Sequence, residues 1–447
     1  MIPAAPRRPP AETTIRRPLR AAAGLLLWTG LVWLTHVWGE RLVRRDPASR
    51  IFAAPLAGRL DPRLSPLLLL ALAVAVAAVA GAPRLAGTLS WHALLWACFA
   101  GAAVWAMVLA SGDGLHAVAA PLTTRWDYLV DLPRVGSVPA FLSGFTSNAA
   151  AFSTHVRAHP PGMLLLLWSL HRIGLSGPGP EAALVIAGGA AMVPAALVVL
   201  REVAGGAPAR AAAPFLAFLP AALWVATSAD ALFAGVAAWG AALMVLSTGR
   251  RDRTGDVQAL GGGLLLGVAA FLSYGLVLVW LIPTAVAAWR RRLRPILIAA
   301  GAAGAVGLAF AGAGFAWTAG WASAHAQYLR GAARARPQHY FWLGNLGAFA
   351  LALGPAVAAG LAWLRDRRVW LLVAGGLAAV ALADASGLSK GEVERIWLPF
   401  VPWIAVAACA FGLGAVEGHR GRGWVRAMLA LQMGSAIAIQ VLVRSPW

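Results

Sequence analysis

Residues 163–174 read MLLLLWSLHRIG, an apolar run whose pattern predicts a helix. A helix of this length rises about 18 Å, whereas the hydrocarbon core of a bilayer is about 30 Å thick. We therefore predict a helix that dips into the outer leaflet without crossing the membrane. Counting it as a span would invert the orientation of every segment on one side of it, so this short run decides the topology of the chain.

The short helix lies in the most polar part of the sequence. Residues 112–181 are predicted to form one long extracytoplasmic loop, which also carries TRWDYLVDLPRVG and THVRAHPPG. Acids, histidines and arginines gathered in one loop of an apolar chain indicate an active face. The predicted regions are a basic cytoplasmic amino terminus (1–20), amino-terminal transmembrane helices (21–111), this loop with its juxtamembrane helix (112–181) and a transmembrane helical bundle (182–447).

Composition predicts an all-α, polytopic membrane protein. Hydrophobic residues make up 60% of the 447 residues, charged residues 12%, and the mean hydropathy is +0.72, outside the range of soluble domains. The excess of 37 basic over 17 acidic residues fits arginines that flank membrane segments. No separate soluble basic module exists, so nucleic-acid binding is excluded. Cys98 and Cys409 lie in apolar runs, which excludes a disulfide framework.

The apolar runs predict about thirteen membrane segments. The first follows a cluster of arginines and is predicted to be an uncleaved signal anchor. The run 259–289 is too long for one span and is predicted to break at Ser273-Tyr274-Gly275. The predicted segments are 21–39, 66–81, 92–111, 182–200, 211–226, 231–247, 259–289 as two helices, 296–318, 343–363, 370–385, 397–415 and 427–443.

Arginine-rich connections predict that the amino terminus is inside. Four such connections then lie on the inner side: Arg250, Arg251 and Arg253; Arg290, Arg291, Arg292 and Arg294; Arg365, Arg367 and Arg368; Arg420, Arg422 and Arg426. The loops 40–64 and 319–342 also hold arginines but are placed outside. Either the topology errs there, or these arginines serve anionic ligands.

This orientation places most of the polar candidates on one side of the membrane. They are Asp113, Asp127, Asp131, His155, Arg157, His159, Asp230, Tyr274, His325, His339 and the segment Ser389 to Arg395. Polar groups at membrane depth cost several kcal/mol unless they pair or line a wet cavity. The shared side therefore predicts a cavity that opens outward.

Asp127 and Asp131 are the first candidates for chemistry. Their spacing puts both carboxylates on one face if the segment is helical. One could act as a general base on a hydroxyl while the other orients it or a cation. Asp113 is a third carboxylate of the same loop. The alternative is a solvated interfacial helix with a capping aspartate.

His155, Arg157 and His159 lead into Pro160-Pro161-Gly162. The prolines force an extended entry and a helix start, so His159 is predicted to face the membrane surface. No third soft ligand stands at a suitable spacing, so no metal site is predicted, although a divalent metal stays open as a participant. The alternative is interfacial anchoring.

Asp230 and the loop around Lys390 complete the candidates. Asp230 closes a short turn between apolar helices, where an N-cap is the alternative. Lys390 is the sole lysine of the sequence and stands close to Glu394 and Arg395. An ammonium beside a guanidinium suits a phosphate. The alternative is a salt-bridged loop cap.

Together these residues resemble the GT-C superfamily of membrane glycosyltransferases. The resemblance covers most of the chain from Gly112 onward, through short motifs in the expected order. They are Asp127-Tyr128, His159-Pro160-Pro161-Gly162, Ser228-Ala229-Asp230, Gly267 to Leu276 around Tyr274, and Glu394 to Pro402. The sequence is most similar to functionally unassigned bacterial integral membrane proteins with DYLxDxPRV, HPPG and SKGEVERIWLPF motifs. It lacks the paired Asp-Glu of better-known members and has extra helices before the loop.

The resemblance implies a GT-C-like fold and transfer of a sugar from a polyprenyl-phosphate donor on the extracytoplasmic face of a bacterial plasma membrane. It implies a lipid, glycan or protein acceptor and no certain cofactor. Asp127 would be the base, with Asp113 and Asp131 as alternatives, and Lys390 and Arg395 would hold the phosphate. Further expected substrate-binding residues are Tyr128, His155, Arg157, His159, Asp230, Tyr274 and Glu394. A lipid-linked-sugar flippase and a non-catalytic envelope-assembly scaffold stay open.

Overall fold

The structure, a computed structural model, describes residues 11–413 and 419–445. Within this part of the chain, nine helices are long and apolar enough to cross a membrane. The sequence-based prediction of an all-α, multi-pass membrane protein is therefore confirmed. The helices are α1 (Ala11–Arg45), α2 (Leu68–Thr88), α3 (Trp91–Ala110), α4 (Val138–Gly144), α5 (Thr154–Ala158), α6 (Gly162–Arg172), α7 (Pro178–Ala204), α8 (Gly206–Ala217), α9 (Asp230–Thr248), α10 (Arg253–Leu272), α11 (Leu281–Trp289), α12 (Leu293–Gly312), α13 (Trp317–Arg330), α14 (Gln338–Leu353), α15 (Pro355–Trp363), α16 (Arg367–Ala385), α17 (Val393–Ile396), α18 (Val401–Ala405), α19 (Cys409–Leu413) and α20 (His419–Leu442).

Short 3-10 helices and one small sheet complete the described structure. The 3-10 helices are Pro47–Ser49, Ser111–Asp113, Leu115–Val118, Ala120–Thr123, Tyr128–Arg134, Ala149–Ala151, Pro220–Trp224, Tyr274–Trp280, Ala332–Ala335, Leu398–Phe400 and Val406–Ala408. Strand β1 (Arg59–Leu60) pairs antiparallel with β2 (Val443–Arg444). The sheet joins the loop after α1 to the end of α20. The loop after α1 and the end of α20 therefore meet at one end of the bundle.

Small residues bring the central helices α7, α9, α10 and α12 close together. A side-chain carbon added at Gly235 of α9 would strike the backbone of Gly188 on α7, and one added at Gly263 of α10 would strike Ala299 on α12. Apolar side chains gain little by leaving lipid, so close packing of small residues is a main source of helix association in a membrane. These glycines fix the bundle that carries the candidate site.

The predicted short helix and the predicted break are both confirmed. Helix α6 is 11 residues long, too short to cross a bilayer. A side-chain carbon on its first residue, Gly162, would strike the backbone of Phe271 on α10. Helix α10 ends at Leu272, and Ser273 is extended before the next helical turn. The glycine of the HPPG stretch thus lets α6 lie against the site of the break.

The prediction of one span over 211–226 is wrong. Helix α8 ends at Ala217, Leu219 is extended, and a separate 3-10 helix begins at Pro220. A proline disfavours the helical conformation in the residue before it, which explains the break. The segment is therefore two short pieces.

The predicted span 343–363 is also two pieces, bent by 96° between α14 and α15. Gly354, at a φ of 82°, and the following Pro355 break the helix. Buried Gln432 of α20 satisfies the freed backbone groups: its Oε1 accepts from Ala356 N at 3.0 Å and its Nε2 donates to Leu353 O at 2.8 Å. Irregular backbone at membrane depth needs such internal partners.

Two further predictions need correction at their edges. The span 397–415 is a series of short helical pieces, because Pro399 and Pro402 interrupt it; residues 414–415 lie outside the described residues. Helix α1 begins at Ala11, so helix extends into the predicted polar terminus 1–20. Residues 1–10 of that terminus lie outside the described residues.

Candidate functional site

A buried polar cluster gathers residues that are far apart in the sequence. It is defined here as Asp127, Tyr128, His155, His159, Glu181, Asp230, Arg336, Glu392 and Arg395. Its members come from the loop before α7, the first turns of α7 and α9, the segment that precedes α14, and α17 with the residue before it. Five of the nine, Asp127, Tyr128, Glu181, Asp230 and Arg395, are at most 5% exposed. The fold thus encloses titratable side chains that lie far apart in the sequence.

Asp127 and His155 form a directly bonded pair. Asp127 is fully buried; its Oδ1 accepts from Tyr128 N at 2.6 Å and its Oδ2 lies 3.0 Å from His155 Nδ1. His155 N also donates to Trp126 O at 2.9 Å, which fixes the two segments together. A carboxylate at Nδ1 favours the tautomer with its proton there, and Nε2 is then the acceptor. Asp127 therefore caps a 3-10 helix and orients a histidine.

His159 packs next to this pair. Its Nδ1 lies 2.8 Å from the carbonyl oxygen of His155, and its Nε2 lies 4.0 Å from Asp230 Oδ1. Burial lowers the pKa of His159 although Asp230 opposes this. His159 is therefore neutral at physiological pH and donates through Nδ1.

Tyr128 contacts both histidine rings, with centroid distances of 6.0 Å to His155 and 6.3 Å to His159. Burial, reinforced by Asp230 and Asp127, raises the pKa of Tyr128 well above its ordinary value. The phenol is therefore a neutral hydroxyl group. That hydroxyl has no hydrogen-bond partner among the described residues.

Arg395 bridges two acids. Its Nη1 donates to Asp230 Oδ2 and its Nη2 to Glu392 Oε2, both at 2.7 Å. Ser228 Oγ also donates to Asp230 Oδ2 at 2.8 Å. Arg336 Nη1 lies 3.5 Å from the other oxygen of Glu392. Two guanidinium groups and two carboxylates therefore form a continuous and nearly neutral network.

The charges of this network stabilise one another. Burial alone would raise the pKa of Glu392, but Arg395 and Arg336 lower that pKa below its ordinary value. Burial alone would lower the pKa of Arg395, but Glu392 and Asp230 raise that pKa above its ordinary value. A buried charge without a partner is strongly unfavourable, so each group depends on the others.

Asn345 of α14 holds the loop that presents Glu392. Its Nδ2 donates to Asp384 Oδ1 at 2.8 Å and to Ser389 O at 2.7 Å, and its Oδ1 accepts from Gly391 N at 2.9 Å. Gly391 and Glu392 have φ values of 85° and 64°. A non-glycine residue in the left-handed region costs energy, so the loop holds Glu392 in a strained conformation.

Lys390 lies at the edge of the cluster. Its Nζ donates to Ala333 O at 3.3 Å, and its carbonyl oxygen accepts from Arg336 Nη1 at 2.5 Å. Its present contacts join two loops.

Two of the predicted carboxylates have other partners. Asp131 Oδ1 pairs with Arg134 Nε at 2.8 Å, and Oδ2 accepts from Ser153 N at 2.7 Å. These contacts favour a structural role, since they tie the 3-10 helix to the start of α5. Asp113 pairs with Arg63, next to the small sheet.

The remaining predicted residues lie in separate environments. Arg157 donates to Thr154 Oγ1 at 3.3 Å within α5. The Tyr274 ring packs edge-on against Trp317 at 5.3 Å. Glu394 is 1% exposed, and burial together with Glu392 raises its pKa to about 7. The structure therefore brings Tyr128, His155, His159, Asp230 and Arg395 together with Asp127.

Sequence reasoning missed two members of the cluster. Glu181 stood at the last position of the predicted loop, and Arg336 was one of several loop arginines. The usable signal for Glu181 was a lone acid one residue before a long apolar run. Nothing in the local sequence separates Arg336 from its neighbours.

The residues present do not form a metal-ligand set. Across residues 11–413 and 419–445, no group of three or more histidine, cysteine or acidic side chains is arranged to hold a metal ion. Asp230 and Glu392 are instead bonded to arginines.

Comparison with known proteins finds a slight likeness to a solved structure. No family model matches the chain, and no curated protein matches it. A crystal structure of the Archaeoglobus fulgidus oligosaccharyltransferase, in complex with zinc and sulfate, aligns with a TM-score of 0.37 and 16% identity. The alignment covers 65% of this chain and 45% of that chain. The chain thus spans less than half the length of that protein, and so slight a likeness indicates neither a donor nor an acceptor.

Proposed function

We propose that this chain is a membrane glycosyltransferase that moves a sugar from a polyprenyl-phosphate donor to a hydroxyl group on the extracytoplasmic face. The observation that carries the proposal is the Asp127–His155 pair, held in a buried cluster beside the Arg395 network. The pair supplies a proton acceptor, and the network supplies cations. The sequence resemblance to GT-C enzymes supports the choice of donor.

Asp127 and His155 would act as one base. His155 is 12% exposed in its side chain and Asp127 is fully enclosed, so an acceptor hydroxyl reaches His155 Nε2 more readily than Asp127. The hydroxyl proton passes to Nε2 while the hydroxyl oxygen attacks the anomeric carbon. Asp127 stabilises the imidazolium that forms, as a buried carboxylate does for histidine in other enzymes.

The leaving phosphate needs cations and no general acid. The bond from the anomeric carbon to the phosphate oxygen breaks, and the phosphate leaves with the electron pair. Glu392 is the more exposed acid of the network, at 23% of its side chain against 6% for Asp230. We infer that the phosphate replaces Glu392 between Arg395 and Arg336, with Lys390 at the edge.

The proposal is tested with purified protein in lipid nanodiscs. Polyprenyl phosphates bearing different single sugars are supplied with lipid, glycan and peptide acceptors, and released polyprenyl phosphate is measured by mass spectrometry. We expect release that depends on both donor and acceptor. A flippase would instead move donor across liposomes and release none, and a scaffold would do neither; either result contradicts the proposal.

Cysteine labelling tests the proposed face. Ser176→Cys lies in the exposed turn before α7, and Thr254→Cys is exposed at the start of α10. We expect a membrane-impermeant thiol reagent, added to intact cells, to label Ser176→Cys and to leave Thr254→Cys unlabelled. The native cysteines Cys98 and Cys409 are buried and give a low background. Reversed labelling would place the polar cluster on the inner face and remove the extracytoplasmic assignment.

A further inference from the structure

Glu181 is a buried acid that the proposed reaction does not use. It lies in the first turn of α7, is 1% exposed, and neither of its carboxylate oxygens has a hydrogen-bond partner among the described residues. Burying a carboxyl group without hydrogen-bond donors is costly, and nearly all buried polar groups in proteins are satisfied. Such a group therefore requires donors from a bound molecule or from water.

The hydroxyl group of Tyr128 has the same property. It is buried, and it too lacks a hydrogen-bond partner among the described residues. Tyr128 follows Asp127 directly in the chain. Asp127 and Glu181 both lie near enough to the Tyr128 hydroxyl group to add to the rise in its pKa that burial causes. Glu181 and Tyr128 therefore lie near the candidate base Asp127 and do not bond to each other. The phenol hydroxyl group can both donate and accept a hydrogen bond.

We propose that Glu181 and Tyr128 form a subsite that binds hydroxyl groups of the transferred sugar. The two oxygens of the Glu181 carboxyl group can bond to a pair of neighbouring hydroxyl groups, and the phenol supplies one further donor or acceptor. The subsite rests on the proposed function, because it places the sugar ring next to the Asp127–His155 pair. It also explains why two polar groups are left unpaired in a region where Asp127, Asp230 and Arg395 are all bonded.

The position of Glu181 fits this role. Asp230 begins α9 and Glu181 lies in the first turn of α7, and these helices pack closely where Gly235 contacts Gly188. The phosphate ligands proposed above lie around Asp230 and Glu392. The sugar would therefore extend from the Arg395 network toward α7, with its reacting carbon near His155.

Binding of two lipids to the full-length protein in nanodiscs separates the subsite from the phosphate site. The probes are a sugar-free polyprenyl phosphate and the same lipid carrying each of a panel of hexoses and pentoses. For the best-bound sugar lipid, we expect Glu181→Gln to weaken binding about tenfold, since the amide nitrogen donates where a carboxyl oxygen would accept and leaves a buried hydroxyl group of the sugar unpaired. Binding of the sugar-free lipid should change less than about twofold.

Tyr128→Phe is the second variant, and it keeps the ring that packs on His155 and His159. We expect it to weaken binding of the sugar lipid about threefold to tenfold and to leave thermal stability unchanged, because the hydroxyl has no partner to lose among the described residues. Glu202→Gln is the matched control. It makes the same change at the other end of α7, where Glu202 pairs with Arg290 at 2.9 Å, and should leave the binding ratio of the two lipids unchanged.

The outcomes are distinct from those of the transfer assay. If no transfer is found but both variants lose the preference for the sugar lipid, the subsite stands and the catalytic proposal fails. If both lipids lose affinity equally, or if neither variant alters the ratio, Glu181 and Tyr128 are satisfied by water and the subsite is overturned. A wild-type protein that binds no sugar lipid better than the sugar-free lipid overturns it as well.

Discussion

Asp127→Asn is expected to lower turnover about 10²- to 10⁴-fold, the range for loss of a general base. The asparagine oxygen can still accept from Tyr128 N, but its amide group then faces His155 Nδ1 with a donor. His155 would have to move its proton to Nε2, which removes the atom that accepts the hydroxyl proton. The measurement is the release of polyprenyl phosphate per folded protein at saturating donor.

His155→Gln should reproduce this loss, and the double variant should be no worse than either single one, since the two residues act as a unit. Asp131→Asn and Asp113→Asn are the matched controls. Asp131 bonds to Arg134 and Ser153, and Asp113 pairs with Arg63. Their turnover should stay within about tenfold of the wild type. If Asp131→Asn or Asp113→Asn loses turnover while Asp127→Asn keeps it, the base is that other carboxylate.

Arg395→Ala is expected to have the largest effect on stability. The change leaves Asp230 and Glu392 without their shared guanidinium in a buried position, and breaking a buried ion pair by removing one partner costs about 3–5 kcal/mol. The measurement is the free energy of unfolding in mixed micelles under denaturing detergent. Binding of sugar-free polyprenyl phosphate should weaken in the same variant, because the phosphate loses its main cation.

Arg395→Lys separates charge from geometry. It keeps a cation but cannot bond two carboxylates with one planar group, so it should recover only part of the stability and of the lipid binding. Lys390→Ala should cost little stability, since Nζ makes one hydrogen bond to Ala333 O. A triple variant, Arg395→Met with Asp230→Asn and Glu392→Gln, removes all three charges. It should be more stable than Arg395→Ala, because no unpaired charge is left buried. Equal stability of Arg395→Ala and the wild type would show that the network is not an energetic unit.

The fold class could be predicted from the sequence because it depends on local physics. An apolar run of about twenty residues in a bilayer satisfies its backbone hydrogen bonds within itself, and helix is then the available single-segment structure. The same reasoning identified α6 as too short to span and Ser273 as a break. It failed at 211–226 and 343–363, where the sequence is apolar on both sides of Pro220 and on both sides of Gly354-Pro355. Hydropathy averages over a window and does not register one residue that cannot continue a helix.

The candidate site was predicted in part, for a related reason. Asp127, His155 and Asp230 stood out because polar residues are rare in this chain, and Tyr128 and Arg395 lay next to them or in a marked loop. That Asp127 bonds His155, while Asp131 bonds Ser153 N, depends on how two loop segments pack and is not encoded in their spacing.

What the sequence alone determined is therefore the all-helical membrane bundle, the break at Ser273, the short α6 and most of the residues that enter the polar cluster. These follow from hydrophobic length, proline and glycine chemistry and the cost of polar groups in lipid, all of which act within a few neighbouring residues. The tertiary structure alone decided which carboxylate orients a histidine, that Arg395 joins Asp230 to Glu392, and that Glu181 and Arg336 belong to the site. Those contacts join residues up to 165 positions apart, and side chains that meet across helices are selected by packing of the whole bundle, which no local pattern records.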